Sequence, residues 1–243
     1  MTGEITLNGM VIFSAPVNEY DNRVVILTRE RGKVTAFARG AKRPKSQFAA
    51  TTRPFCFGEF TLYEGKNAYN LQSVHIQNYF EEIMEDMDRI SYGFYFLELA
   101  DYFGTENVEA KEMLLLLYQS LRALINEKLD NRLVRRIVEL KMLVLYGEYP
   151  EVYSCMNCGR KEHLDGFSVR HHGILCKDCH AEDKICLEVS TVYTMQYIIS
   201  SEIKKLYTFS VSEQVLKELG MVLNRFYAVH IDRVFHSLSM LGL

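Results

Sequence analysis

Between Ile5 and Phe80 the apolar positions come in short runs rich in Val, Ile, Phe, Tyr and Thr. Turn-forming stretches interrupt them at Pro16 to Asn22, at Arg31-Gly32 and at Glu64 to Asn67. Five strands are expected, over residues 5–14, 21–29, 33–40, 55–64 and 68–77, with a long loop from Ala41 to Pro54 between the third and fourth. Five short twisted strands in about 80 residues cannot bury both faces as an open sheet, so closure into a small OB-like barrel is the economical arrangement. Along the third strand, alternation places Lys33, Thr35, Phe37 and Arg39 on one face and Val34, Ala36 and Ala38 on the other. A one-residue slip in register would instead make Phe37 a core residue.

After Phe80 the period lengthens to that of amphipathic helices. Tyr92, Phe96, Leu99 and Phe103 form one stripe, Met113, Leu116, Leu117, Leu121 and Leu124 a second, and Leu133, Ile137, Leu140 and Val144 a third. Gly147 followed by Pro150 ends the third helix. Ser210-Val-Ser-Glu213 has capping-box spacing and opens a further stripe of Val215, Leu219, Val222 and Phe226. The pattern predicts an α+β chain: an OB-like β-barrel domain over 1–80, then a helical domain over 81–243 carrying a cysteine knuckle at 153–182.

The overall charge of -3 argues against wholesale polyanion binding, so a nucleic-acid surface would need segregated charge. The chain does segregate it. Residues 1–80 hold ten Lys/Arg against six Asp/Glu, whereas the remainder holds eighteen against twenty-five. From Arg23 to Arg53 there are nine basic residues and a single acid, Glu30. Arg29, Arg31 and Lys33 bracket a hairpin turn. Arg39, Lys42, Arg43 and Lys45 lead from the third strand into the loop, and Arg53 stands at its exit. With Phe37 among them, this composition suits single-strand binding by base stacking and phosphate contact. A basic loop is also the ordinary composition of a solvated face. Lys128, Arg132, Arg135 and Arg136, at the start of the third helix, form a secondary candidate for a DNA or partner surface, and exposed helix charge accounts for them as well. Arg225, His230, Arg233 and His236 near the C-terminus are similar.

Four of the six cysteines form two C-x-x-C pairs, Cys155/Cys158 and Cys176/Cys179, with seventeen residues between them. That is the spacing of a paired-knuckle site offering four thiolates to one zinc ion, fully coordinated and therefore structural rather than catalytic. A redox dithiol, an iron–sulfur site or unrelated free thiols are the other readings. His163, His171, His172 and His180 lie near enough in sequence to replace a cysteine, though solvated loop histidines fit the same positions. Cys56, between Phe55 and Phe57, reads as a buried strand thiol, and Cys186 as an apolar residue after the knuckle. His180-Ala-Glu182 gives the H-x-E of zinc deaminases, but it follows a complete set of four cysteines, and no proline precedes either pair. The N-terminal fifteen residues lack the basic start and apolar stretch of a signal peptide, and the longest apolar run, Met113 to Tyr118, is too short to cross a bilayer. A cytoplasmic, non-enzymatic protein is expected.

Several separated motifs, in order, resemble the RecO family of recombination mediators and DNA repair proteins. They are Ala38-Arg-Gly-Ala-Lys-Arg-Pro-Lys-Ser46, Leu145-Tyr-Gly-Glu-Tyr-Pro150, Cys155-Met-Asn-Cys-Gly159, Phe167-Ser168, Gly173-Ile-Leu-Cys176 and His236-Ser237-Leu238 in the last helix. The resemblance implies an OB-fold N-terminal domain, a helical C-terminal domain and an embedded zinc knuckle that serves folding. It also implies binding of single- and double-stranded DNA and annealing of complementary strands. Its further implications are action with RecR to load RecA, contact with the C-terminal tail of single-stranded-DNA-binding protein, and a nucleoid-associated place in the cytoplasm. A zinc-stabilised protein-interaction adaptor without a DNA surface of its own is the competing reading; a metal-dependent nucleic-acid enzyme is a third.

Overall fold

The computed structural model describes residues 3–65 and 68–240. Residues 66 and 67 of the expected Glu64–Asn67 turn lie outside the described residues. By internal contacts the chain forms two compact units, one of residues 1–125 with 235–243 and one of residues 126–234.

The first unit is built on five strands: β1 (Glu4–Pro16), β2 (Asn22–Thr28), β3 (Gly32–Ala38), β4 (Phe57–Glu64) and β5 (Tyr69–Asn78). Neighbours pair in the order β1-β2-β3-β5-β4, and β4 returns to β1, closing a barrel. All pairings are antiparallel except β3–β5, a parallel contact of two residue pairs, Ala36–Tyr69 and Phe37–Asn70. The five expected strands are thus present and OB-like. Their interior is filled by Leu7, Val11, Val24, Ile26, Val34, Ala36, Ala38, Phe60, Leu62 and Leu71. Small alanines on β3 suit the narrow closure, where larger side chains would hold β3 and β5 apart.

Met10, Ile12, Val25 and Leu27 are buried too, yet stand outside that interior cluster. Helices α2 (Met87–Phe103) and α3 (Lys111–Ile125) cover them, α2 against β1 and α3 against β2. Asp86 caps α2 by accepting from the Arg89 amide at 2.9 Å. Between barrel and helices lies an aromatic layer in which Phe55 meets Phe94 edge-on, and Tyr118 meets both Phe57 and Phe80. The 41–54 loop contains one helical turn, α1 (Phe48–Thr51), pinned to the core by Phe48. Cys56 is buried as expected, in the residue just before β4. The short α7 (His236–Ser239) rejoins this unit on α2, with the Phe235 ring between Tyr95 and Tyr102.

The second unit contains α4 (Asn131–Tyr146), α5 (Val189–Ser200), α6 (Glu213–His230) and a small sheet of β6 (Leu164–Ser168), β7 (Gly173–Cys176) and β8 (Ile185–Cys186) in the order β7-β6-β8. Gly147, in the left-handed conformation at φ 89°, ends α4 and donates to the Leu143 and Val144 carbonyls, as its sequence position anticipates. The cap of α6 is Ser212, which accepts from the Val215 amide, rather than Ser210 of the expected capping box. Cys186 is exposed, so it is not the apolar filler its neighbours suggest. Among the described residues no helix is long and apolar enough to cross a membrane.

Candidate nucleic-acid interface and metal centre

The β2–β3 hairpin separates the basic residues into two groups. Across it Thr28 pairs with Gly32 at the turn end and Asn22 with Ala38 at the other, six residues apart, or about 20 Å at strand rise. At the turn end the backbone is docked: Ala110 donates to the Arg29 carbonyl, Asn107 to that of Arg31, and Lys33 to the Thr105 carbonyl. The Lys33 ammonium donates to the Asp101 carbonyl at 2.6 Å and lies 3.3 Å from the Asp101 carboxylate. Arg31 donates to the Tyr69 hydroxyl at 2.6 Å and pairs with Glu64 at 3.6 Å. Arg29 is exposed. Two of the three cations here therefore already have acidic partners.

The other end is open. Arg39, Lys42, Arg43, Lys45 and Arg53 are exposed, and among the described residues none of them forms a salt bridge. Phe37 is half-buried on the outer face, with Val34, Ala36 and Ala38 turned inward, the register that strand alternation anticipates. Its register partner on β2 is Arg23. A bulge between Val11 and Phe13 in β1 turns Phe13 outward, and the Arg23 guanidinium lies over its ring, 5.2 Å from the centroid. At the β1–β2 turn Tyr20 is exposed, its carbonyl accepts from the Lys42 amide, and Arg43 lies over its ring at 5.3 Å. Asp21 ties the two loops together by accepting from the Gly40 amide at 2.7 Å. That bond, the Asn18 amide, and the charges of Arg39 and Arg43 hold its carboxyl below the ordinary range. Sequence reading missed Phe13 and Tyr20, because the bulge and the loop contact that set them here leave no local pattern.

The secondary basic cluster is not a continuous exposed surface. Lys128 is exposed, but Arg132 is clasped by Asp130 at 2.7 Å and Glu213 at 2.8 Å. Arg135 and Arg136 are buried, both 2.8 Å from Glu139, and Arg136 also donates to Asn224.

The four knuckle cysteines converge. Their sulfurs all lie within 4.8 Å of one another, and those of Cys158 and Cys176 are 3.7 Å apart. Metal–sulfur bonds of about 2.3 Å at tetrahedral angles separate sulfurs by about 3.8 Å, so the cluster can hold a metal ion with little adjustment. Gly159 at φ 75° donates to the Cys155 carbonyl and closes the first C-x-x-C turn, while the Cys179 amide bonds back to Cys176 in the second. Lys184 fastens that second turn by donating to the Cys176 and Cys179 carbonyls.

Burial works against ionisation of Cys155, but the amides of Cys176, Cys158 and Asn157 outweigh it and bring the thiol down to about 6. The Asn157 side chain donates to Cys179 and favours its thiolate; burial and the three neighbouring sulfurs nevertheless hold Cys179 up at about 12. A dication bound among the four clustered sulfurs would favour their thiolate forms. Among the described residues the histidines stand apart from this cluster: His171 bonds Ser168 and His172 bonds His230. Glu182 of the His180-Ala-Glu182 triplet is exposed and paired with Arg170.

Residues 1–80 match the family described as recombination protein O N terminal, and residues 84–239 match recombination protein O C terminal. The chain belongs to the RecO family. A DNA repair protein RecO from Acetivibrio thermocellus is 32% identical over 238 residues, covering 96% of this chain and 94% of that protein. Those of Bacillus pumilus and Bacillus subtilis are 34% and 32% identical, over 92% and 90% of this chain and 88% and 86% of theirs. Membership makes this a protein of DNA repair and recombination, and both halves of the RecO pattern are represented along it.

Proposed function

We propose that this chain is a DNA-binding recombination mediator. In this reading it binds single- and double-stranded DNA through the open end of the barrel and anneals complementary strands. It assists recombinase loading with RecR on DNA coated by single-stranded-DNA-binding protein, whose C-terminal tail it contacts, and so acts indirectly on RecA. The observation carrying this reading is the exposed group of Arg23, Arg39, Lys42, Arg43, Lys45 and Arg53 beside Phe13, Tyr20 and Phe37, on a chain whose remaining residues are net acidic. A surface that neutralises phosphates of two strands at once lowers their repulsion and lets them pair without any bond being made or broken. The ion held by the four cysteines is a single structural zinc, since all four tetrahedral positions are filled by protein. The protein works in the cytoplasm, with the nucleoid.

Binding of a labelled single-stranded oligonucleotide across a salt series tests the reading, comparing the wild type with R39A/K42A/R43A. Loss of three phosphate contacts is expected to weaken binding and to make the log–log salt slope shallower by about 2 to 3. Equal affinity and slope for both proteins would place the DNA surface elsewhere, and absence of binding by either would favour a protein-interaction adaptor.

A further inference from the structure

The open end of the barrel carries three aromatic rings among its cations, and two of them are already occupied. Phe13 is 42% exposed and Tyr20 44%, yet Arg23 lies over the first and Arg43 over the second. Phe37 stands across from Arg23 on the next strand. Among the described residues neither arginine is held by a salt bridge, so each has the ring as its resting place. Exposed guanidinium–ring contacts are weak, and a nucleobase stacks on the same face.

We infer that Phe13, Tyr20 and Phe37 are base-stacking positions for unpaired nucleic acid, and that Arg23 and Arg43 act as displaceable covers on two of them. A base that takes the ring releases the guanidinium, which is then free to contact the phosphate of the same strand. Stacking and phosphate neutralisation are thereby coupled for single strands. A duplex has its bases paired and stacked inward and cannot uncover the rings. It engages Arg39, Lys42, Lys45 and Arg53, which carry no ring. The inference rests on the proposal that this face binds DNA.

The chain has no tryptophan, so F13W gives a single-tryptophan reporter at one of these positions. The full-length F13W protein is titrated with a single-stranded oligonucleotide and with the matching duplex. In parallel, F13L, Y20A and R39A/K42A/R43A are compared with wild type on both ligands across a salt series. Tryptophan quenching by the single strand and not by the duplex is expected. F13L and Y20A should each lose about tenfold in single-strand affinity while keeping duplex affinity. Both side chains are exposed, so circular dichroism should match wild type. If F13L and Y20A bind single strands like wild type while the triple charge variant is weakened, the face binds DNA but the rings are spectators, and this inference fails alone. Equal quenching by duplex would overturn the selectivity. If the charge variant also binds like wild type, the DNA face itself is refuted and the inference falls with it.

Discussion

Glu139 is 2% exposed and lies between two guanidiniums, those of Arg135 and Arg136, each at 2.8 Å. Burial is the largest influence on its carboxyl and would raise its pKa. The opposed charges of Arg136 and Arg135, with their hydrogen bonds, prevail and lower it from 4.5. A depressed folded pKa contributes stability that is present above the unfolded value and is lost as pH falls through the folded one. E139Q should therefore lower the unfolding free energy at pH 7 by about 3–5 kcal/mol, because it leaves two buried cations without their carboxylate. Urea titrations at pH 7 and below pH 4 check this: the gap between E139Q and wild type should narrow on the acid side. The sequence shows Glu139 four residues after Arg135 and three after Arg136 but not their burial. The apolar stripe Leu133, Ile137, Leu140 marks one face of α4, whereas every residue from Leu133 to Leu143 is buried. A helix covered on all sides and still carrying ions is invisible to periodicity.

Among the helices of the second unit, α5 is the one that the sequence conceals. Its residues, VSTVYTMQYIIS, are rich in β-branched and aromatic side chains that favour strands. Two charged side chains from neighbouring helices secure its ends. Glu218 of α6 accepts from the Glu188 amide at 2.8 Å and the Thr191 hydroxyl at 2.6 Å at the N-terminus. Lys141 of α4 donates to the carbonyls of Ile198, Ile199 and Ser201 at 3.2, 2.9 and 2.7 Å at the C-terminus. The anion at the start and the cation at the end both complement the helix dipole and fill the orphan backbone groups. K141M keeps much of the side-chain volume and removes the donors. It is expected to cost about 1.5–3 kcal/mol and to speed amide exchange in α5 more than in α4; unchanged exchange in α5 would show that packing alone holds it. The five barrel strands were legible because alternation and turn chemistry are local. The clamps on α5 come from residues more than 25 positions away in sequence, and no local pattern records them.

At the scale of the whole chain, charge segregation and the two C-x-x-C pairs were plain in the sequence, and each belongs to a different compact unit: the open basic face to residues 1–125 with 235–243, the cysteine cluster to residues 126–234. The sequence could not show which cations were already neutralised, since Lys33 and Arg31 find their acids only through tertiary contacts. The division yields a prediction about metal removal. Structural zinc contributes an apparent binding free energy of about 10–16 kcal/mol in small peptide sites, comparable with the roughly 5–15 kcal/mol stability of a whole domain. The knuckle has few apolar residues of its own, with Phe167, Ile174 and Leu175 at its centre, and a single fastening lysine in Lys184. Chelation at neutral pH should therefore unfold residues 153–182 and lower the thermal stability of the second unit. Oligonucleotide affinity and its salt slope should stay within about twofold of the metal-loaded protein, because the proposed phosphate contacts lie on the barrel. Amide exchange with and without chelator, run beside the binding titration, reads both quantities in one preparation. Protection lost in the knuckle with binding retained would make the ion a folding element. Affinity that falls in step with metal content would instead mean that the DNA path depends on the second unit.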